Sequence, residues 1–132
     1  MSDNLNAHIE RIPFANFLGV KLIPVADDRI EAKLTVLLEH WIPMGGLPGG
    51  ATMSLADTLG AMGAFRNLPE GDNGTTTIES KTNFLGPAKS GDTVIAVCTP
   101  VHVGRRTSVW QTKITTEAGK AVALVLQTQM TL

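Results

Sequence analysis

Gly45-Gly46-Leu47-Pro48-Gly49-Gly50-Ala51-Thr52-Met53-Ser54-Leu55-Ala56-Asp57-Thr58-Leu59-Gly60-Ala61-Met62-Gly63-Ala64-Phe65-Arg66 is the stretch that organises this chain. Its glycine-rich beginning does not suit regular structure. From about Gly50 the spacing predicts a helix. Ala51, Leu55, Leu59 and Met62 recur on one face, and Gly50, Ser54, Asp57, Ala61 and Ala64 form a second stripe of small residues. A helix that is apolar or small on every side is expected to be buried. At 1.5 Å per residue it is roughly 25 Å long, about the width of a small domain. Its only charge before Arg66 is Asp57, near the middle. A lone carboxylate on a buried helix is costly unless it is paired or used.

On either side of this helix the patterns are those of strands. Leu5, Ile9 and Ile12 place a short amphipathic helix over residues 4–12, ended by Pro13. Phe14, Phe17 and Leu18 are expected to bury beyond it. Val20, Leu22 and Ile23 suggest a strand that turns at Asp27-Asp28. Arg29 to Val36 alternates strictly, with Ile30, Ala32, Leu34 and Val36 facing one way, so the two strands read as a hairpin. After a loop from Asn67 to Asn73, strands are expected at 75–85, 94–98, 106–116 and 122–130. The second of these is apolar on both faces and should be covered on both sides. Pro100 and Gly104 suggest an edge or bulge near its end. In the last, Val122, Leu124, Leu126, Thr128 and Met130 alternate. Four strands joined by short turns argue for an antiparallel sheet. With one helix against it, the class is α+β.

The chain has 132 residues, which suggests one domain over 1–132, and 43% of them are hydrophobic, enough for a core. A net charge of −1 argues against nucleic acid as a partner. No stretch is apolar and long enough to span a membrane. The single Cys98 allows no internal disulfide, and no secretory signal opens the sequence, so a cytoplasmic protein is expected.

The residues from Gly45 to Thr52 almost match a phosphate loop, but Ala51 stands where the lysine belongs and no strong strand leads in. The glycines have a second use, because they leave backbone N–H groups free at a helix start. Such groups bind anions and developing oxyanions. Gly49, Gly50 and Ala51 are the candidate donors. Asp57 lies seven residues beyond Gly50, on the same face. A carboxylate there acts as general base on water or as nucleophile, or else pairs with a buried basic group of this chain or a partner. His8, His40, His102 and Cys98 show no metal-ligand spacing, and no Gly-x-Ser-x-Gly elbow exists. Cys98 reads as a packed core residue. Arg105-Arg106 reads either as a solvated strand end or as a contact for a phosphate-bearing ligand.

With these residues in view, the chain resembles the single-hotdog acyl-CoA thioesterases of the 4-hydroxybenzoyl-CoA and phenylacetic-acid-degradation (PaaI-like) type. Gly49-Gly50-Ala51-Thr52-Met53-Ser54-Leu55-Ala56-Asp57-Thr58 is similar to the family's Gly-Gly-Ala-x-x-x-Leu-Ala-Asp-Thr. Asn83-Phe84-Leu85-Gly86-Pro87-Ala88 is similar to its Asn-Phe-Leu-Arg-Pro-Ala, and Gly104-Arg105-Arg106-Thr107 to its Gly-Arg-Arg-Thr. The resemblance implies a long antiparallel sheet wrapped around a central helix. It implies a homodimer with sites between the chains, and in many relatives a homotetramer. Asp57 takes the place of the family's catalytic carboxylate, and Gly49, with Gly50 beside it, that of the amide that polarises the thioester carbonyl. Arg105 and Arg106 fall where the phosphates of coenzyme A are often held.

Against the family pattern, Ile42 stands for the asparagine or glutamine that helps hold the attacking water. Pro48 stands for a histidine, Ala61 for a serine or threonine, and Gly86 for an arginine. His40 could replace one lost polar group. The expected function is hydrolysis of acyl-CoA to the free acid and coenzyme A. The alternative is a non-catalytic acyl-thioester-binding protein, and a hotdog dehydratase would need a catalytic histidine. No metal or redox cofactor is expected, coenzyme A entering as part of the substrate. Ile42, Gly60 and Ala61 offer no hydrogen-bonding side chain, so an apolar acyl group is expected.

Overall fold

The computed structural model describes residues 9–23, 26, 28–37, 42–43, 45–71 and 73–132. In chain order the elements are α1 (Pro13–Leu18), β1 (Lys21–Ile23), β2 (Ile30–Thr35), α2 (Gly49–Arg66), β3 (Thr75–Phe84), β4 (Thr93–Val103), β5 (Thr107–Thr116) and β6 (Ala121–Thr131). The strands form one antiparallel sheet in the order β1-β2-β4-β5-β6-β3. The chain leaves β2, passes through α2, and re-enters at the far edge with β3. The sheet wraps α2, which touches every strand from β2 to β6. This is the expected α+β architecture.

The start of the chain departs from expectation. Most of the helix expected over residues 4–12 lies outside the described residues, although Ile9 and Glu10 are helical. Pro13 also opens α1, because its fixed φ and missing N–H suit a first helical position. Leu18 is buried, but Phe14 and Phe17 are exposed and stack on each other, with ring centroids 6.5 Å apart. Six residues make fewer than two turns, so only Ala15 and Leu18 reach the core.

Helix α2 is buried on one side rather than on all. Leu55, Ala56, Leu59, Gly60, Met62 and Gly63 face the sheet, whereas Met53, Asp57 and Phe65 are exposed. Two glycines set how closely helix and sheet approach. A Cβ on Gly60 would lie 2.2 Å from Cδ of Gln127, and one on Gly63 would lie 2.7 Å from the Trp110 ring. Trp110 is fully buried, and its indole N–H is satisfied by donating to Ser108 Oγ at 2.8 Å. The small residues are therefore the space into which larger residues of β5 and β6 fit.

Strand β2 has the expected face, with Ile30, Ala32, Leu34 and Val36 all buried. Strand β6 has the opposite phase from its leucines. Ala123, Val125, Gln127 and Gln129 face α2, while Leu124, Leu126, Thr128 and Met130 face outward, half-buried or exposed. Gln127 occupies the space beside Gly60. Strand β4 runs past 98 to Val103, because the register shift between Pro100 and His102 absorbs the proline. Its second face, Ile95 and Val97, is half-buried by this chain rather than covered.

Strand β3 lies at the sheet edge and shifts register between Thr77 and Glu79. Ile78 is the extra residue, and it reverses the alternation. Thr77 pairs with inward Gln129, and beyond the bulge Thr82 and Phe84 pair with inward Val125 and Ala123. One strand thus presents Thr77 to the middle of α2 and Phe84 to its beginning.

Candidate active site

The beginning of α2 is held by the loop that carries the second quoted motif. Leu47 N–H donates to the Ala88 carbonyl at 2.9 Å. Gly46 has φ of 118°, and a Cβ there would meet the Ala88 oxygen at 2.4 Å. Pro48 is the N-cap and has no side-chain oxygen to cap the helix. The first intrahelical bond runs from Thr52 N–H to the Pro48 carbonyl at 3.1 Å. The amides of Gly49, Gly50 and Ala51 therefore precede the helical ladder and remain donors. Gly49 and Gly50 are exposed, and the Phe84 ring sits against Gly49, where a Cβ would come within 3.1 Å of it. A polarised carbonyl placed here meets aligned N–H groups and the positive end of the helix dipole.

Asp57 sits on the uncovered side of α2. Its Oδ1 accepts from the Thr77 hydroxyl at 2.8 Å and from Gln127 Nε2 at 3.4 Å. Thr77 Oγ1 accepts in turn from Gln129 Nε2 at 2.5 Å, and Gln129 Oε1 accepts from the Thr75 hydroxyl at 2.8 Å. Oδ2 carries no hydrogen bond among the described residues. Among the described residues of this chain, no basic group forms a salt bridge with Asp57. A groove of about 610 Å³ opens over this carboxylate, lined by Ile12, Thr58, Ala61, Met62, Phe65 and Leu132 among others.

Asp57 and Ala61 thus share one groove. Gly60 does not line it, because it faces Gln127 instead. The groove also carries Thr58, Asn73 and Thr75, so it is not purely apolar. Gly49 and Asp57 lie eight residues apart on one helix, roughly 12 Å at the helical rise. One chain does not bring its own amides and carboxylate onto one atom. Arg105 and Arg106 are exposed in the β4–β5 turn and line a neighbouring cleft with Pro69, Thr131 and Leu132; the two clefts meet at Leu132. Ile42 is half-buried on the loop before the helix, where its carbonyl accepts from Gly45 N–H at 2.7 Å. His8 and His40 lie outside the described residues.

Cys98 is buried, and burial pushes its thiol up to about 11, with the Thr112 hydroxyl beside it pulling the other way. It is an inert core residue, as read from the sequence. Among the described residues no three His, Cys, Asp or Glu side chains cluster as a metal site. No described helix is long and apolar enough to cross a membrane. Sequence reasoning missed Thr75, Thr77, Gln127 and Gln129. The one available signal was the pair Gly60 and Gly63, whose missing side chains announce large partners without naming them.

Known proteins share this family and fold. The family model for the thioesterase superfamily matches residues 44–123. The chain is 34% identical over 104 residues to 1,4-dihydroxy-2-naphthoyl-CoA hydrolase of Escherichia coli K12, covering 79% of this chain and 75% of that protein. Its structure is similar to a thioesterase of Haemophilus influenzae, with TM-score 0.90 and 29% identity over 100% of this chain and 92% of that one. It is also similar to the E. coli PaaI protein from the phenylacetic acid degradation operon, with TM-score 0.88 and 26% identity over 98% and 91%. With the wrapped sheet, the central helix and the family match over most of its length, the chain belongs to the thioesterase superfamily, as a hotdog-fold acyl-CoA thioester hydrolase.

Proposed function

We propose that this protein cleaves acyl-CoA at a site shared by two copies of the chain, with Asp57 of one facing the Gly49 and Gly50 amides of the other. The observation that carries this is Asp57 itself, an exposed carboxylate anchored at one oxygen, on a helix otherwise apolar or small, over a groove. Reacting atoms must approach to roughly 3–3.5 Å. The separation of Gly49 from Asp57 within one helix favours a second copy as the source of the missing half. The exposed edge of β3, with Ile78, Phe84 and Leu85 uncovered, is the surface on which that copy would pair.

In this reading the thioester oxygen accepts from the Gly49 and Gly50 amides, which stabilise the developing oxyanion. Asp57 takes a proton from water as the water attacks the carbonyl carbon, or attacks that carbon itself, breaking the C–S bond to give a mixed anhydride that water then hydrolyses to the free acid and the carboxylate. In the water route, collapse of the tetrahedral intermediate breaks the C–S bond. The departing sulfur recovers the proton, giving free acid and coenzyme A. In this reading Arg105 and Arg106 take the phosphates of coenzyme A, a role supported by their exposure in the cleft beside the groove. Ile42, Pro48 and Ala61 border the substrate without supplying a polar group. The protein works as a single-domain cytosolic homodimer, alone or paired into a tetramer. The E. coli hydrolase is named for an aromatic acyl-CoA, so aromatic thioesters belong in the first substrate panel.

The test is thiol release from acetyl-, hexanoyl- and benzoyl-CoA by wild type and Asp57→Asn, with the molar mass of both by light scattering. The expected result is a dimer or larger in each, and a rate lower by about 10²–10⁴ in the variant. Melting should change little, because Asp57 is exposed and forms no salt bridge among the described residues. Turnover in Asp57→Asn at the wild-type rate removes the carboxylate from the mechanism. A monomeric, active wild type removes the shared site.

A further inference from the structure

We propose that Thr77 and Gln129 form a relay that aims the Asp57 carboxylate, with Gln127 as a second support. All three are positioning residues, acting on the reaction through Asp57. The inference rests on the assignment of Asp57 to the chemistry.

The relay has one direction. The Thr75 hydroxyl donates to Gln129 Oε1, which commits the other end of that amide, Nε2, to Thr77. A hydroxyl has one proton. With its oxygen accepting from Gln129, Thr77 gives that proton to Asp57 Oδ1. The reverse order would set Gln129 Oε1 against Thr77 and draw its proton away, leaving oxygen lone pairs facing a carboxylate. The order seen is the one that a carboxylate at Asp57 demands. It holds Oδ1 as an acceptor and leaves Oδ2 as the oxygen without a partner among the described residues.

Packing alone does not account for these residues. Gln127 and Gln129 are each 1% exposed, between sheet and helix, on a strand whose other inward residues are Ala123 and Val125. Apolar residues would fill the same space, and a buried amide is costly unless its polar atoms are used. Gln129 uses both ends of its amide and reaches Asp57 through Thr77, whereas Gln127 reaches Asp57 only with Nε2, at 3.4 Å, and its Oε1 has no partner among the described residues. Two backbone features make the room. The absent side chain at Gly60 admits Gln127, and the bulge at Ile78 turns Thr77 inward on the strand that also carries Phe84 to Gly49. Bulges are common beside active sites because they re-aim a side chain in this way.

The test uses the full chain with Thr77→Val, Thr77→Ser and the double variant Thr77→Val/Gln129→Met, beside Asp57→Asn. Thiol release from hexanoyl- and benzoyl-CoA gives kcat and KM separately. Thr77→Val keeps the shape and removes the proton, so kcat should fall roughly 10–100-fold, as for a small misplacement of a reacting group. KM should stay near the wild-type value. Thr77→Ser should restore most of kcat. The double variant should be no slower than Thr77→Val, because the two residues act along one path. A merely structural role would lower the melting temperature and leave kcat per folded site intact. Wild-type kcat in Thr77→Val, or a Thr77→Ser variant as slow as valine, overturns the relay. If Asp57→Asn is slow while Thr77→Val is not, the relay falls and the catalytic carboxylate stands. If Asp57→Asn turns over at the wild-type rate, both fall.

Discussion

Gly60 of α2 and Gln127 of β6 share one space: a Cβ on the glycine would lie 2.2 Å from Cδ of the glutamine and 2.4 Å from each of its terminal atoms. The helix is as close to the sheet as it is because this residue has no side chain. Closeness in turn brings Gln127 Nε2 within reach of Asp57, both its Oδ1 and its backbone carbonyl.

Gly60→Ala should therefore destabilise the fold even though alanine is the better helix former. Gln127 is almost fully buried and has nowhere to turn. Overpacking of this kind costs about 1–3 kcal/mol. Gly50→Ala is the control, since a Cβ there meets nothing within 4 Å. It should be neutral or stabilising, by up to about 1 kcal/mol. Urea midpoints of the two variants check the pair. Equal midpoints would mean that the helix can move away from β6 at no cost.

Gly46→Ala should damage the site through the backbone. Its φ of 118° is unfavourable for any residue with a Cβ, and that Cβ would strike the Ala88 carbonyl oxygen at 2.4 Å. The loop must shift, and with it the Gly49 and Gly50 amides that follow. Gly71→Ala has a similar φ of 91° with open space around it, so it carries the strain without the collision. The expected outcome is a loss of thioester cleavage in Gly46→Ala that exceeds any in Gly71→Ala. Thiol release and thermal melting on the same samples decide it.

Cys98 should make the protein lose stability in alkali. Burial disfavours the thiolate and pushes the folded thiol up to about 11, from an ordinary value of 9.0. Below pH 9 both states hold the proton and the group contributes no pH dependence. Between about 9 and 11 the unfolded chain gives up its proton while the folded chain keeps it, so stability falls as pH rises. Two pKa units correspond to about 3 kcal/mol at most. Cys98→Ala should flatten this slope. The native thiol should also resist a disulfide dye at pH 8 and react once the chain is unfolded. Rapid labelling of the native protein, or an unchanged slope in the alanine variant, would contradict this.

From β1 onward the order of elements was legible in the sequence because it rests on local period. The alternation from Ile30 to Val36 marks a half-buried strand wherever it is placed, and Ala51, Leu55, Leu59 and Met62 mark a helix with a buried face. Asp57 was legible as the exception on that helix, and Gly49 and Gly50 as the amides before it. Period tells which residues share a face but not which face turns inward. In β6 the leucines suggested one phase, and contact with Gly60 selected the other, placing Gln127 and Gln129 under the helix. That Thr77 meets Asp57 depends on an extra residue at Ile78 and on pairing with a strand some fifty positions later. Such a contact joins segments with no local relation, so the sequence alone determined the fold and the carboxylate, and only the tertiary packing decided what holds that carboxylate in place.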